Sequence, residues 1–337
     1  MFLNEAYAGS LPIAATDIAV QWDSLYNFLI WLSVFFFVLV VGAMIWFAIQ
    51  YRARPGIKTK YITGNHLLEG VWIAIPTVLL LIIFGWGYTV YHKMKQPPSD
   101  AYEIRVVGKQ WLWTFQYDNG RTSVGEVYVP MNKPVKLIMN SEDVLHGFFI
   151  PNFRVKQDVV PGMYSSIWFE ATVPGKHQVF CTEYCGTSHS GMLAKLIVLN
   201  DEQWKQWSNG KKLGPIPEAG KELTATEIQN ANVASLQPVA GGLAMQGKHI
   251  FETKGCVACH TNDGTTKIGP SLKGVYGSRV ELTDGSFVKA DDDYIRESIE
   301  KPQAKVVKGF SPLMPTFQGL VSGTEMNALI AYIRSIK

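Results

Sequence analysis

Residues 181–192 read CTEYCGTSHSGM, and this stretch decides what kind of domain occupies the middle of the chain. Cys181 and Cys185 are followed by His189 and Met192, so thiolate, imidazole and thioether donors fall within one short segment. Copper selects this soft set of donors, above all when it cycles through Cu(I). The stretch therefore predicts a copper site in a loop, with His146 upstream as a further donor.

A second motif lies closer to the C-terminus. Residues 256–260 read CVACH, the spacing that attaches a c-type haem covalently. All four cysteines of the chain fall within these two motifs. Two disulfides are the alternative for an exported protein, but disulfides require neither His260 beside Cys259 nor His189 and Met192 near the first pair. Copper and haem in one chain predict an electron carrier.

Two uncharged apolar runs indicate where this carrier is anchored. Residues 25–49 and 71–91 each exceed the ~20 residues that cross a bilayer as a helix. The loop between them is basic, whereas residues 1–51 contain no Lys or Arg. The positive-inside rule makes that loop cytoplasmic. Both termini and both redox domains are therefore predicted on the side of the membrane away from the cytoplasm.

The rest of the chain predicts two extramembrane domains after a tail and hairpin over residues 1–97. Short β-rich runs between turn residues over 98–199 predict an all-β sandwich or barrel. Residues 200–240 are a polar connector with some helical character, and helical patterns follow over 241–337. The net charge of +3 and the lack of a basic stripe argue against nucleic acid as a partner.

These motifs resemble two known families. Residues 22–199 resemble subunit II of haem-copper cytochrome c oxidases, residues 241–337 resemble class I cytochrome c, and the fusion is similar to subunit II of caa-type oxidases. The resemblance implies a multidomain membrane protein with a two-helix transmembrane hairpin, an all-β cupredoxin sandwich and an all-α class I cytochrome c. Quinol oxidases share the fold but lack these ligands, so quinol is not expected as the direct donor.

The resemblance also implies a dinuclear copper centre, CuA. Its ligands would be bridging thiolates from Cys181 and Cys185, one imidazole each from His146 and His189, a weak thioether from Met192 and the backbone carbonyl of Glu183. Shared thiolates spread one electron over two metals, so little reorganises on transfer. The Glu183 carboxylate is implied to reach a Mg or Mn ion shared with subunit I, the alternative being an ordinary loop acid. His177 has ligand-like spacing, but the family has no ligand there.

Two further residues are implied to carry electrons or protons. Trp111 begins an alternating aromatic strand, and the family makes it the surface residue through which electrons reach CuA; the alternative is packing in a half-buried strand. Glu69 lies at the cytoplasmic start of the second apolar run. The family makes it the mouth of a proton path into subunit I, and the alternative is an interfacial cap.

In the C-terminal domain the resemblance implies a class I haem site. Cys256 and Cys259 would bond the haem vinyl groups, and His260 would bind the iron. A methionine is expected as the sixth ligand, and the candidates are Met245, Met314 and Met326. Met314 is predicted because it lies in a loop before the last helix. The carbonyl of Pro270 is implied to steady the axial imidazole.

The implied function is electron relay in a caa-type oxidase of a bacterial inner membrane, with both redox domains on the periplasmic side. Electrons from cytochrome c or another redox donor would pass through haem c and CuA to subunit I, where dioxygen is reduced to water with proton pumping. Subunit III is a further expected partner, and this chain alone holds no complete active site. The alternatives are the CuA-containing small subunit of a nitric oxide reductase and a copper-chaperone or thiol-redox protein. Met163 departs from the arginine that the family often has there.

Overall fold

The computed structural model describes residues 11–56, 58, 61, 63–211, 213–221 and 242–337. The first ten residues of the predicted tail lie outside the described residues, as do Lys60 of the basic loop and residues 222–240 of the predicted connector. The boundaries of the four predicted segments stay predictions.

Two long helices, α1 (Asp17–Gln50) and α2 (His66–Lys95), form the N-terminal hairpin. Both are long and apolar enough to cross a membrane. Each helix begins before its apolar run because a polar side chain caps it. The side chain of Thr16 accepts a hydrogen bond from the N–H of Ala19, and that of Asn65 accepts one from Leu68. The apolar pattern thus located the membrane-spanning cores but not the helix ends.

The middle of the chain is a β-sandwich, as predicted. Its strands are β1 (Tyr102–Lys109), β2 (Leu112–Tyr117), β3 (Thr122–Val124), β4 (Glu126–Pro130), β5 (Pro134–Ser141), β6 (His146–Ile150), β7 (Val155–Val159), β8 (Ser165–Glu170), β9 (Gly175–Cys181) and β10 (Leu193–Leu199). One sheet has the order β3-β2-β1-β5-β8 and the other β4-β10-β9-β6-β7. β1 pairs in parallel with β5 and β4 with β10, while the other paired neighbours run antiparallel.

Alternating side chains from both sheets fill the core of the sandwich. Burial alternates at every residue of β5, as expected when one face of a strand points inward. Trp113, Phe115 and Phe148 are fully buried, and the ring of Phe148 meets both of the others edge-on. Truncating a buried ring of this kind, as in Phe148→Ala, costs about 3–5 kcal/mol. This core holds the strand ends that carry the candidate site.

The sandwich rests on the ends of both long helices. Arg154, after β6, forms an ion pair with Asp23 of α1 at 2.8 Å, and both side chains are mostly buried. The Trp168 ring nitrogen of β8 donates to the carbonyl of Lys93 in α2 at 3.0 Å. The start of α1 and the end of α2 therefore lie on the same side as the sandwich, which is the arrangement expected of a hairpin.

The described part of the connector packs against the sandwich. Helix α3 (Asp201–Ser208) places Trp207 in a stack with Tyr128, at 5.2 Å between ring centroids, and beneath the guanidinium of Arg121. Further on, Glu218 pairs with Lys176 of β9 in an isolated bridge. The connector up to residue 221 therefore packs against the sandwich that precedes it.

The C-terminal domain is built from helices α4 (Gly242–Thr253), α5 (Asp292–Glu300) and α6 (Gly323–Ser335). α4 and α6 cross closely at Gly247, where any side chain would overlap the carbonyl of Ala328. A short hairpin of β11 (Arg279–Glu281) and β12 (Phe287–Lys289) lies between the helices and was not predicted. The predominantly helical character of this domain is confirmed.

Candidate copper centre and haem cavity

Three connections meet at one end of the sandwich. They are the β1–β2 turn, the β5–β6 loop and residues 182–192 between β9 and β10, which we call the copper loop. His146 is the first residue of β6, and Cys181 is the last residue of β9. The two strands are hydrogen-bonded neighbours, so strand pairing brings this histidine to the cysteines although they lie far apart in sequence.

The structure brings the six predicted copper ligands together. The two cysteine sulfurs lie 3.8 Å apart. Sγ of Cys181 lies 3.9 Å from Nδ1 of His146 and 3.4 Å from the carbonyl oxygen of Glu183. Sγ of Cys185 lies 3.4 Å from Nδ1 of His189 and 3.8 Å from Sδ of Met192. Both cysteines are free thiols, so the disulfide alternative is not what the structure shows. A bonded pair would lie at ~2.05 Å.

The two thiols differ in their acidity. Burial acts against the thiolate of Cys181, but hydrogen bonds involving His146 and the Gly147 amide outweigh it and lower the pKa of that thiol. In Cys185 burial and the charge of the neighbouring Cys181 raise the pKa. A metal that binds both sulfurs displaces their protons. Two thiolates beside imidazole and thioether donors fit copper by their softness.

An acid that the sequence analysis missed orients one imidazole. Nε2–H of His146 donates to Oδ1 of Asp143 at 2.8 Å, which leaves Nδ1 facing the Cys181 sulfur. The backbone N–H of Gln110 donates to the other carboxylate oxygen at 2.7 Å. Burial acts to raise the pKa of Asp143, but the hydrogen bonds from Gln110, His146 and Val144 outweigh it and hold the pKa below its usual range. Such outer carboxylates fix the tautomer and orientation of a metal-binding histidine.

Trp111 is not the surface residue that the resemblance implied, because only 6 % of its area is exposed. The C-terminal domain covers it. On one side Trp111 lies against the copper loop, where a Cβ at Gly186 would come within 3.1 Å of the indole. The neighbouring Gln110 side chain donates to the carbonyl of Cys185 at 2.7 Å and ties the β1–β2 turn to this loop.

Glu183 and Glu69, the two acids predicted to bind a metal ion or to carry protons, each lie beside a basic side chain. The Glu183 carboxylate accepts a hydrogen bond from the amino group of Lys156 at 2.6 Å, and Asp158 lies 3.5 Å from the same amino group. Glu69 lies in the first turn of α2, with one carboxylate oxygen 3.1 Å from Nδ1 of His66. His177, which was not predicted as a copper ligand, lies apart from the ligands, and its Nε2–H donates a hydrogen bond to the carbonyl of Val173.

The C-terminal domain contains a largely apolar cavity of about 250 Å³. Its wall includes every residue predicted for the haem site, namely Cys256, Cys259, His260, Pro270 and Met314. The two rejected methionines lie elsewhere. Met245 is mostly exposed on α4, and Met326 packs with the buried side chains around α6. Met314 is thus the candidate that lines the cavity.

The axial histidine is held in a defined orientation. Nδ1–H of His260 donates to the carbonyl of Pro270 at 2.8 Å, so Nε2 keeps a free lone pair. Burial lowers the pKa of this imidazole, which favours the neutral form that binds metal. The backbone of Gly269 lies directly against the imidazole ring, because a Cβ there would be 2.6 Å from Cε1 of His260. Only glycine fits beside a ring placed in this way.

The cavity fits a covalently attached haem. Burial raises the pKa of Cys256 to about 12 and also raises that of Cys259. Both residues line the cavity, where their sulfurs would form the thioether bonds to a haem. The Ser298 hydroxyl and the indole nitrogen of Trp111 are buried without a hydrogen-bond partner in the described part of the chain, and both residues line this cavity. Buried polar atoms without partners are rare, and a polar group of a haem in this cavity would give the Ser298 hydroxyl a partner.

Comparisons with known proteins agree with these features. Three family models match: "Cytochrome C oxidase subunit II, transmembrane domain" over residues 4–88, "Cytochrome C oxidase subunit II, periplasmic domain" over 121–199 and "Cytochrome c" over 244–337.

Two relatives with the same subunit name support this assignment by sequence. Cytochrome c oxidase subunit 2 of Alkalihalophilus pseudofirmus is 32% identical over 92% of this chain and 86% of that protein. The subunit of the same name from Synechocystis is 26% identical over 78% of this chain and 92% of that protein. The periplasmic domain of subunit II of cytochrome oxidase from Bradyrhizobium japonicum matches 34% of this chain and 95% of its own, at 30% identity and a TM-score of 0.33. This chain belongs to the family of cytochrome c oxidase subunit II, a membrane-anchored subunit of haem-copper terminal oxidases, and carries a cytochrome c domain at its C-terminus.

Proposed function

We propose that this chain receives electrons for a caa-type oxidase, through haem c first and CuA second. The observation that carries this proposal is the position of Trp111 between the two sites. Its side chain lines the haem cavity and also lies against the copper loop at Gly186. The fused domain makes the electron transfer intramolecular and gives it a high effective concentration. Subunit I would receive the electron and reduce dioxygen to water with proton pumping.

The burial of Trp111 supports this order of transfer. A soluble donor cannot touch an indole that the C-terminal domain covers, so cytochrome c or another redox donor would dock on the haem domain. Trp111 would then pass electrons between the two centres of one chain. Bound haem supplies a reversible one-electron couple, and Met314 as sixth ligand would raise its potential.

The copper loop would hold CuA through the six donors described above. Cys181 and Cys185 would bridge the metals, and Asp143 would keep the His146 imidazole aimed at its copper. The loop is anchored at both ends by strands and tied to the β1–β2 turn by Gln110. A site that is already in place reorganises little when it gains an electron.

The orientation at the membrane would follow from charge, and the roles of Glu69 and Glu183 are those that the family resemblance implies. The Arg52 and Arg54 side of the hairpin would be cytoplasmic, so the sandwich and the haem domain would be periplasmic. Glu69 would then lie at the cytoplasmic surface as the mouth of a proton path into subunit I. Glu183 would bind a Mg or Mn ion at the boundary with subunit I, where the cation would take the place of Lys156. Subunit III would complete the complex.

An optical spectrum tests the choice of acceptor. The complex is purified through this chain, and its reduced-minus-oxidised spectrum is recorded. Haem a bands beside the haem c band are the result that we expect. Haem b without haem a, together with non-haem iron by metal analysis, would indicate a nitric oxide reductase and overturn the oxidase assignment. A mixed-valence copper signal in the same sample would exclude a copper-chaperone role.

A further inference from the structure

The segment that attaches the haem rests directly on the copper loop. We call residues 255–260 the haem turn. The Ser188 hydroxyl donates to the carbonyl oxygen of Ala258 at 2.7 Å, across the boundary between the sandwich and the C-terminal domain. Both residues are buried, with 9 % and 4 % of their areas exposed. A hydrogen bond shielded from water is stronger than one on the surface.

Two glycines permit this close approach. A Cβ at Gly191 of the copper loop would lie 3.3 Å from Cα of Ala258 and 3.4 Å from its Cβ. At Gly125, before β4, any side chain would overlap the carbonyl of Thr253 at the end of α4. Its φ of +74° also favours glycine. The two domains thus meet backbone to backbone.

Apolar side chains continue the same interface. Leu112 and Val124 of the sandwich form one buried cluster with Phe317 of the C-terminal domain, and Met314 packs against it. Leu112 also lines the haem cavity beside Trp111. An apolar patch around a buried hydrogen bond holds a defined pose, since the apolar contacts supply affinity and the hydrogen bond fixes the position.

The position of the hydrogen bond in the sequence gives it a role in electron transfer. Ser188 immediately precedes His189, a candidate copper ligand, and Ala258 immediately precedes Cys259, a candidate haem thioether. The bond therefore joins a side chain beside one redox centre to the backbone beside the other. The rate of electron transfer depends on the distance between the two centres, and this bond lies between the segments that would hold them.

We propose that Ser188 is a positioning residue, whose hydrogen bond to Ala258 holds the haem turn on the copper loop for electron transfer from haem c to CuA. This inference rests on the proposed function. The step moves one electron: Fe(II) becomes Fe(III), the copper pair gains one electron, and no bond forms or breaks. Electron transfer would occur in this docked arrangement without release of the haem domain.

The test compares Ser188→Ala with Ser190→Ala in the intact complex. Ser190 is a matched control, because it lies in the same loop on the other side of His189 and is exposed. Haem c is photoreduced with a ruthenium complex, and absorbance follows the appearance of reduced CuA. Losing one buried hydrogen bond weakens docking about tenfold. We expect transfer to slow by up to that factor in Ser188→Ala and to stay unchanged in Ser190→Ala.

Two structural readouts accompany the rates. The CuA electron paramagnetic resonance spectrum should be unchanged in Ser188→Ala, because the hydroxyl donates to the haem turn and not within the loop. Hydrogen exchange of the amides in residues 186–192 should be faster in Ser188→Ala than in Ser190→Ala. Equal transfer rates in the two variants would overturn the inference, and so would an altered copper spectrum.

A variant on the haem side gives an independent test. Ala258→Val enlarges the side chain that packs against Gly191 and leaves every residue of the copper loop unsubstituted. We expect slower transfer with unchanged CuA and haem c spectra, and an unchanged rate would contradict the role of this contact. The failure of the proposed function looks different, since the native complex itself would then show no transfer from haem c to CuA.

Discussion

The copper centre and the haem cavity differ in how their residues are arranged around the redox group that each would hold. The copper donors already lie 3.4–3.9 Å apart, held by the ends of β6 and β9 and by a short loop. The haem residues instead surround a cavity, with His260 and Met314 far apart in the chain. A small ion needs donors that converge, whereas a large planar group needs a space that it fills itself.

This difference implies that a substitution at one site should not affect the other, and that substitutions at the two sites should have different effects. Loss of a copper donor should remove the centre and leave the sandwich folded, because the large core side chains Phe115, Phe148 and Phe169 come from the strands and not from the copper loop. Changes at the haem site should instead alter the potential or the stability of the C-terminal domain. A substitution in one region should therefore leave the signal of the other unchanged.

The largest effect is expected from Cys185→Ser. Cys185 contacts His189, Met192 and the second cysteine through its sulfur, so its loss removes a shared bridge. We expect the dinuclear copper signal and oxygen consumption to be abolished, with the haem c spectrum intact. Thr187→Ala, at an exposed position of the same loop, is the control and should retain both. A dinuclear signal in Cys185→Ser would refute the bridging assignment.

The next effect is expected from Met314→Leu on the haem side. Loss of a thioether ligand should lower the haem c potential by on the order of 0.1 V or more, with covalent attachment and the copper signal retained. Redox titration of the haem c band gives the value. Met245→Leu, at an exposed methionine of α4, should leave the potential unchanged. If Met245→Leu shifts the potential and Met314→Leu does not, the ligand assignment is wrong.

A smaller effect is expected at the copper site from Asp143→Asn. An amide accepts from His146 more weakly than a carboxylate, so the imidazole loses part of its orientation. Outer partners of this kind contribute about 10–100-fold to metal affinity, and we expect weaker copper binding within that range. Glu142→Gln is the matched control, because its side chain forms only an exposed ion pair with Lys109. Competition with a copper chelator measures the difference, and equal affinities would exclude this role.

The smallest effect is expected from Ser322→Ala, at the start of α6. The Ser322 hydroxyl accepts from the N–H of Glu325, whose carboxylate accepts from the N–H of Ser322. Removing such a cap costs about 1 kcal/mol. Denaturant unfolding followed at the haem c band should show this loss, while the copper signal persists. Thr266→Ala, at an exposed loop residue of the same domain, should unfold like the native chain; a loss of the same size there would show that the cap is not responsible.

The sequence predicted what depends on local patterns. The copper ligands, the haem motif and Met314 follow from spacing and family resemblance, and the structure brings them together at two places. The apolar runs predicted both long helices but not their ends, because Thr16 and Asn65 extend the helices through capping rather than through hydropathy. The β11–β12 hairpin was missed because its strands are short.

What the sequence did not predict depends on tertiary contacts. Trp111 was expected on the surface, and only the docked C-terminal domain shows why it is buried. Asp143 carries no signal beyond its place before His146, and its role emerges when the loop folds back onto Gln110. Ser188 and Ala258 belong to separate domains, so no pattern within either motif indicates their contact.

The order of reduction tests the central claim most directly. The oxidised native complex is mixed with a reduced soluble cytochrome c in a stopped-flow instrument, and haem c and CuA are followed at their own wavelengths. Haem c should be reduced first, and CuA should follow at a rate that does not depend on donor concentration, because the second step is intramolecular. Reduction of CuA before haem c, at a rate proportional to donor concentration, would contradict relay through the C-terminal domain.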